Sequence, residues 1–359
     1  MLLLFCTIIT GPSRFLNMKT LSKTLFGGLK ALERQLKRDE WATAKYTIIL
    51  DENTFQHCLP LLIAGVEALQ EAEFVEVPAG EECKSLEVAA QVWQTLIDGG
   101  ADRNHVLVNL GGGSVCDLGG FVAAGYMRGI RHINIPTTLL AMVDAAIGGK
   151  TAIDFGGIKN SIGHFYPASL TIIEPTFVAT LPQTEVLNGK MEMVKTAAVA
   201  NPDLYAVLLA NDSIPLNAIK ETVRIKESIV KADPYDHDIR HILNFGHTFG
   251  HAIEVHAHLP HGIAVGIGML AAMYLSVKKT GLDSAIYHDY SMWLRRYVDI
   301  PHFTLHDIEP MLDLMHHDKK NAAASTQCVL LQALGAAMID VEVSDNEVRD
   351  ALLSITRQP

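Results

Sequence analysis

Between residues 45 and 180, short apolar and β-branched runs alternate with stretches of helical period. Tyr46–Leu50 reads as a strand followed by a turn at 51–53, and Phe74–Pro78 reads as a second strand. Leu86–Ile97 carries apolar residues at helical spacing and is ended by Gly99 and Gly100. His105–Leu110 is a largely apolar run of the kind a strand buried on both faces requires. Ile130–Ile135 and Leu170–Ile173 complete the series. Strands alternating with helices predict βαβ units and a parallel sheet.

From about residue 182 the pattern becomes helical: Glu185–Val199, Leu216–Ala232, Ile239–His256, Ile263–Thr280 and Asp283–Val298, with one β-like piece at Gln327–Leu331. The apolar run Ile263–Leu275 is too short to cross a bilayer and reads as a buried core helix. The expected architecture is an α/β, Rossmann-like nucleotide-binding domain over residues 1–180 followed by an all-α domain over 181–359. The boundary falls between Pro175 and Pro182, and the site lies in the cleft between the two.

A length of 359 residues suits two domains. The net charge of −11 argues against nucleic acid as the main partner, because phosphate backbones demand a basic face. Five scattered cysteines (Cys6, Cys58, Cys83, Cys116, Cys328) contain no CxxC, which points to a reducing, cytoplasmic compartment rather than a disulfide framework. The N-terminal MLLLFCTIITGPSR lacks a positive charge before its apolar run and makes a poor signal peptide. Met18 offers an alternative start, with residues 1–17 as an upstream extension.

Glycines cluster after the run ending at Leu110: Gly111-Gly112-Gly113-Ser114-Val115-Cys116-Asp117. Glycines between a strand and a helix let backbone N–H groups approach a phosphate. The strict GxGxxG fingerprint fails, with Cys116 at the third glycine position, so a phosphate cradle of another type and a ligand-free tight turn both stand. Gly148-Gly149-Lys150-Thr151 is a second anion-compatible loop but not a P-loop. Arg128, Lys150, Lys159, Lys195, Lys226 and Arg240 concentrate positive charge near these motifs in an acidic chain, which points to an anionic substrate.

The segment RHILNFGHTFGHAIEVHAHLPH, residues 240–261, holds His247, His251, His256, His258 and His261. His247 and His251 are four apart, so a helix would put both imidazoles on one face, with Arg240 and Asn244 nearly aligned with them. Such a pair, with a third histidine after a loop, can hold a catalytic divalent metal; packing histidines are the alternative. Glu192, in KMEMVK with apolar neighbours, wants a partner, either a metal or Lys195.

These motifs occur in an order that resembles the 3-dehydroquinate synthase family, within the wider group of sugar-phosphate cyclases. The resemblance runs from about Gly80 to Gly335. It rests on GEECKSLE at 80–87, GGGSVCDLGGFVAAGYMRGI at 111–130, PTTLLAMVDAAIGGKTAID at 136–154 and GIKN at 157–160. It continues through EMVK at 192–195, RHILNFGHTFGHAIE at 240–254, HG at 261–262 and HDKK at 317–320. The GGGS…D and PTT pieces are shared with iron-type polyol dehydrogenases, which is one alternative. Another sugar-phosphate cyclase, of the 2-deoxy-scyllo-inosose or valiolone type, is a second; a relative that binds nucleotide without turnover is a third.

The resemblance implies a dehydroquinate synthase-like fold, NAD, a zinc or cobalt ion, and a seven-carbon keto sugar acid phosphate as substrate. It implies transient oxidation by NAD, phosphate elimination, re-reduction and an intramolecular aldol closure. Carried over by position, Glu192, His247 and His261 become the metal ligands and His251 a substrate contact. Lys150, Lys195, Lys226, Arg240 and Asn244 would bind the carboxylate and hydroxyls, and Asn160 with Lys319 or Lys320 would sit near the phosphate. Arg128 matches an arginine that reaches the phosphate of the second subunit, which implies a homodimer. Glu81 and Lys84 would hold the adenine-side ribose; Gly112, Gly113, Asp117, Thr137, Thr138, Asp144, Lys150 and Lys159 would line the rest of the NAD site, with Asp51 beside them. Departures from the usual pattern are Cys116 for glycine, Thr196-Ala197 for Tyr-Gly and Ile263 for glutamate.

Overall fold

The computed structural model describes residues 22–318 and 326–356; the N-terminal extension, Lys319 and Lys320 lie outside them. Its strands are β1 (Lys23–Leu25), β2 (Tyr46–Asp51), β3 (Glu73–Val77), β4 (Val106–Gly111), β5 (Arg131–Pro136), β6 (Lys150–Phe155), β7 (Ile158–Phe165), β8 (Leu170–Ile172), β9 (Thr326–Ala333) and β10 (Ala336–Val343). Six of them form one parallel sheet in the order β1-β8-β5-β4-β2-β3. Every residue of β2 and β4 is buried, as the apolar runs require.

The chain moves outward from β2 to β3, then crosses back to place β4 on the other side of β2. At such a reversal the crossover helices leave a crevice beyond the carboxyl ends of the strands, and ligands bind there. Asp51 and Gly111 mark those ends. The helix Gly113–Gly125 starts directly after them. Its close packing comes from glycines later than the missing fingerprint position: a Cβ on Gly119 would lie 1.9 Å from Asn109 Oδ1, and one on Gly120 would lie 2.4 Å from Thr151 Cγ2. Cys116 is therefore tolerated, because it is not the residue over which helix and sheet touch.

β6 and β7 form an antiparallel hairpin between β5 and β8, where the sequence suggested only a glycine loop. Beyond β8 the chain is mostly helical. Gln183–Ala200 and His261–Lys279 pack against each other and are buried over most of their length. The second is long and apolar enough to cross a membrane by composition alone, but 72% of its most apolar stretch is buried inside the chain. This is the core helix expected from Ile263–Leu275. The helical part also carries the hairpin of β9 and β10, with Leu331 N donating to Ser276 Oγ at 2.9 Å.

The expected continuous helix Ile239–His256 is broken. A turn spans Ile239–Asn244, and a new helix, His247–Ala257, begins after Gly246. Gly246 takes φ +81°, and a Cβ there would lie 2.8 Å from Met269 N and 2.9 Å from Val265 O. Only glycine fits this left-handed, close approach to the core helix. Arg240 and Asn244 therefore do not share a helical face with the histidines.

Candidate active site

His247 opens its helix, His251 follows one turn later, and His261 opens the next helix after a reversal through His258 and Pro260. His258 adopts a left-handed φ of +52° that ends the first helix. The ligating nitrogens of His247, His251 and His261 all lie within 4.8 Å of one another. Glu192, fully buried on the Gln183–Ala200 helix, faces them. Its Oε1 lies 3.9 Å from His247 Nε2 and 3.6 Å from His261 Nε2. That oxygen has no hydrogen-bond partner among the described residues. Of the two partners read for Glu192, the Lys195 pair is present, on Oε2, which leaves Oε1 facing the imidazoles.

The outer nitrogens of the two inner histidines are also placed. His261 Nδ1 is 2.8 Å from Glu254 Oε2, and His247 Nδ1 is 3.4 Å from the Phe245 carbonyl. With the outer nitrogens facing acceptors, the Nε2 lone pairs are left for the space beside Glu192. Burial, followed by the charge of Lys195, holds His247 well below the usual histidine range, so the ring is neutral and able to ligate. A buried carboxylate oxygen without a donor, set against two imidazole nitrogens, fits a divalent cation.

A chain of charges leads away from Glu192. Asp144 Oδ1 lies 3.6 Å from Lys195 Nζ and 2.5 Å from Lys226 Nζ. Lys226 also donates to the Asp144 carbonyl at 2.7 Å. Burial opposes the charge of Asp144, but the two ammonium groups win and hold its carboxyl far below the ordinary range. Burial lowers Lys226, whereas Asp144 and Glu192 outweigh burial and raise Lys195. Asp144 sits in the π-helical turn Ala141–Ala145, while both lysines come from the helical part, so the cluster ties the two parts together at the site.

Arg240 is buried and donates from Nη1 to the carbonyls of Gly148, at 3.2 Å, and Pro234, at 2.9 Å. Its segment is held by Asp233, whose carboxylate accepts from the backbone N–H of His237, Asp238 and Arg240 at 2.7–3.2 Å. Lys150, at the start of β6, pairs with Asp236 of the same segment. Asn244 is exposed three residues before His247.

Several residues expected on the nucleotide side lie at or just beyond the carboxyl ends of β2, β4 and β5. Gly112 caps the Gly113–Gly125 helix; a Cβ on it would lie 3.2 Å from Thr138 Cγ2, and one on Gly113 would lie 3.1 Å from Ala145 Cβ. The buried Thr137 donates its N–H to Gly111 O at 2.9 Å, and Thr138 Oγ1 accepts from Ala141 N at 3.1 Å. Lys84 Nζ contacts Asp117 Oδ2 at 2.9 Å and lies 3.6 Å from Glu81 Oε2; it also donates to Asn160 Oδ1. Burial pushes the Asp117 carboxyl up to about 6 despite Lys84. Glu81 Oε1 accepts from Ser114 Oγ at 2.5 Å. Asp51 accepts from Thr54 N at 2.8 Å and thereby caps the helix Glu52–His57. Asn160, at φ +53° in β7, donates its N–H to Asp154 at 2.7 Å. Lys159 Nζ reaches Glu254 Oε1 at 2.6 Å.

Arg128 stands apart from this cluster, in three consecutive left-handed residues: Met127 (φ +48°), Arg128 (+67°) and Gly129 (+112°). Sequence reasoning overlooked Asp233, Asp236 and Glu254. Glu254 had a usable signal, since it lies seven residues after His247 and so on the same helical face.

Residues 74–188 match the family model described as 3-dehydroquinate synthase N-terminal, and residues 189–321 match the one described as 3-dehydroquinate synthase C-terminal. The chain is 38% identical over 319 residues to a 3-dehydroquinate synthase of Parabacteroides distasonis, covering 86% of this chain and 90% of the relative. Among solved structures it is similar to 2-epi-5-epi-valiolone synthase of Streptomyces hygroscopicus with NAD+ and Zn2+ bound, at TM-score 0.81 and 27% identity over 94% of this chain and 97% of that one. It also shares its fold with a 2-deoxy-scyllo-inosose synthase, at TM-score 0.80 and 22% identity over 92% and 96% of the two chains.

Proposed function

The chain belongs to the 3-dehydroquinate synthase family, and we propose that it converts 3-deoxy-D-arabino-heptulosonate 7-phosphate to 3-dehydroquinate and phosphate. The observation that carries the reading is the unpartnered Glu192 Oε1 facing two imidazole Nε2 atoms, next to the buried Lys195–Asp144–Lys226 cluster.

In this reading Glu192, His247 and His261 hold the cation, and His251, the outermost histidine, faces substrate. Zinc is the first choice because the valiolone synthase carries NAD+ and Zn2+; cobalt suits the same donors. When bound, NAD takes and returns a hydride, and the cation polarises the reacting oxygen as a Lewis acid. Glu81 and Lys84 sit at the adenine side. Gly112, Gly113, Asp117, Thr137, Thr138, Asp144 and Lys159 line the crevice, with Asp51 at its edge. Lys195 and Lys226 donate to substrate oxygens and hold their protons through Asp144. Arg240, Asn244, Lys150 and Asn160 complete the anion-binding wall, and that cationic wall suits a substrate with both carboxylate and phosphate.

The division into residues 1–180 and 181–359 belongs to this reading, with the nucleotide on the first and the cation on the second. So does a homodimer. Its support is the strained backbone that presents Arg128, together with the exposed apolar residues Phe155, Ile158, Ile162 and Phe165 on the hairpin of β6 and β7. Cytoplasmic residence is supported by Cys58, Cys83 and Cys116, buried as free thiols. The partner is a small anionic sugar phosphate. Nucleic acid is disfavoured by the net charge of −11, and a bilayer by the burial of the one long apolar helix among the described residues.

The test is to supply purified protein with the heptulosonate phosphate, NAD and zinc, and to follow phosphate and NADH together. Phosphate release without net NADH is expected. Net NADH would show a polyol dehydrogenase, and preference for a sugar phosphate without a carboxylate would show a sister cyclase.

A further inference from the structure

Glu254 belongs to none of the groups assigned above, yet both of its oxygens are committed. Oε2 lies 2.8 Å from His261 Nδ1, and Oε1 lies 2.6 Å from Lys159 Nζ. The Glu254 side chain is only 14% exposed, while Lys159 is 55% exposed and reaches it from the solvent side. The Glu254 helix, His247–Ala257, also carries His247 on the same face. Lys159 comes from β7, on the nucleotide side of the crevice.

Two consequences follow from the chemistry. A carboxylate at Nδ1 of an imidazole favours the proton on that nitrogen and directs the Nε2 lone pair the other way, here toward Glu192 Oε1 at 3.6 Å. A cation on the second oxygen stops the carboxylate turning away from the imidazole. We propose that Glu254 is a positioning residue that fixes the tautomer and direction of His261 and makes the hold on the cation depend on Lys159. This rests on the reading of Glu192, His247 and His261 as ligands.

The test measures zinc affinity of metal-stripped full-length protein by competition with a chromophoric chelator. Four variants are compared with the parent protein: Glu254→Ala, Glu254→Gln, Lys159→Met and the double variant Lys159→Met/Glu254→Ala. Glu254→Ala is expected to weaken zinc binding roughly 10–100-fold, with the thermal midpoint of the metal-free protein unchanged. Glu254→Gln, which keeps the shape and an acceptor oxygen, is expected to lose less and serves if the alanine variant does not fold. Lys159→Met is expected to show a smaller loss than Glu254→Ala, and the double variant no more loss than Glu254→Ala alone. The kcat of Glu254→Ala should recover in part at saturating zinc. Parent-like zinc affinity in both Glu254 variants overturns this inference while leaving the ligand reading intact. Additive losses in the double variant overturn the dependence on Lys159. A parent protein that takes up no cation overturns both readings.

Discussion

Glu192 Oε1 lies 3.6 Å from His261 Nε2 although the two residues are 69 positions apart, and no group in the described chain donates to that oxygen. A fully buried carboxylate oxygen left so is costly unless a cation takes the place of a donor.

Glu192→Gln is therefore expected to lower zinc affinity by more than about 100-fold, beyond the range seen for outer-shell changes. Elemental analysis of the purified variant should find little metal, while NAD binding, followed by nucleotide titration, should persist. A metal-replete, active Glu192→Gln would remove Glu192 from the ligand set.

Asp144 is the common counter-charge of Lys195 and Lys226, both almost fully buried. Asp144→Asn leaves Lys226 without an anionic partner and Lys195 with Glu192 alone. Removing one partner of a buried ion pair costs about 3–5 kcal/mol, and urea unfolding should show a loss of that order with an unchanged m-value. An effect below about 1 kcal/mol, the ceiling for surface pairs, would mean that the cluster is solvated.

His132, on β5, is buried with neither ring nitrogen hydrogen-bonded within the described chain, and burial lowers its pKa from 6.5 to about 4. The unfolded chain binds this proton more readily than the folded one. Its contribution is therefore fully present above pH 6.5 and is lost as pH falls toward 4, by on the order of 3 kcal/mol at most. His132→Phe, which keeps the stacking on Tyr166, should flatten the fall in stability between those pH values. Parallel pH profiles for the two proteins in urea unfolding would count against it.

The fold was legible wherever one period dominated. Leu216–Ala232 is amphipathic, and its predicted bounds are those observed. β2, β4 and β5 were found to within a residue, because strands buried on both faces carry apolar residues on both. The hairpin of β6 and β7 was not found: every residue of β7 is exposed, so no alternation betrays it. The helix break at Gly246 was missed for the opposite reason. The apolar pattern continues through it, and only the contact with Met269 and Val265, distant in sequence, demands the glycine.

The candidate site divides in the same way. His247 and His251 announce themselves by local spacing, whereas local spacing cannot bring in Glu192, because helix packing alone carries it to them. Asp233 and Asp236 stayed hidden because their partners, backbone N–H groups and Lys150, become neighbours only once the loop before Arg240 is closed.

Glu192, His247 and His261 begin or ride on three helices from one side of the crevice, and the hairpin bearing Lys150, Lys159 and Asn160 arrives from the other. The donor atoms are thus inherited from a single packed scaffold, while the wall opposite them is an appendage with a solvent-exposed strand. Substitutions can accumulate in that appendage and reshape the wall around the sugar, and it is through Lys159 and Glu254 alone that such a change would reach the proposed ligand trio.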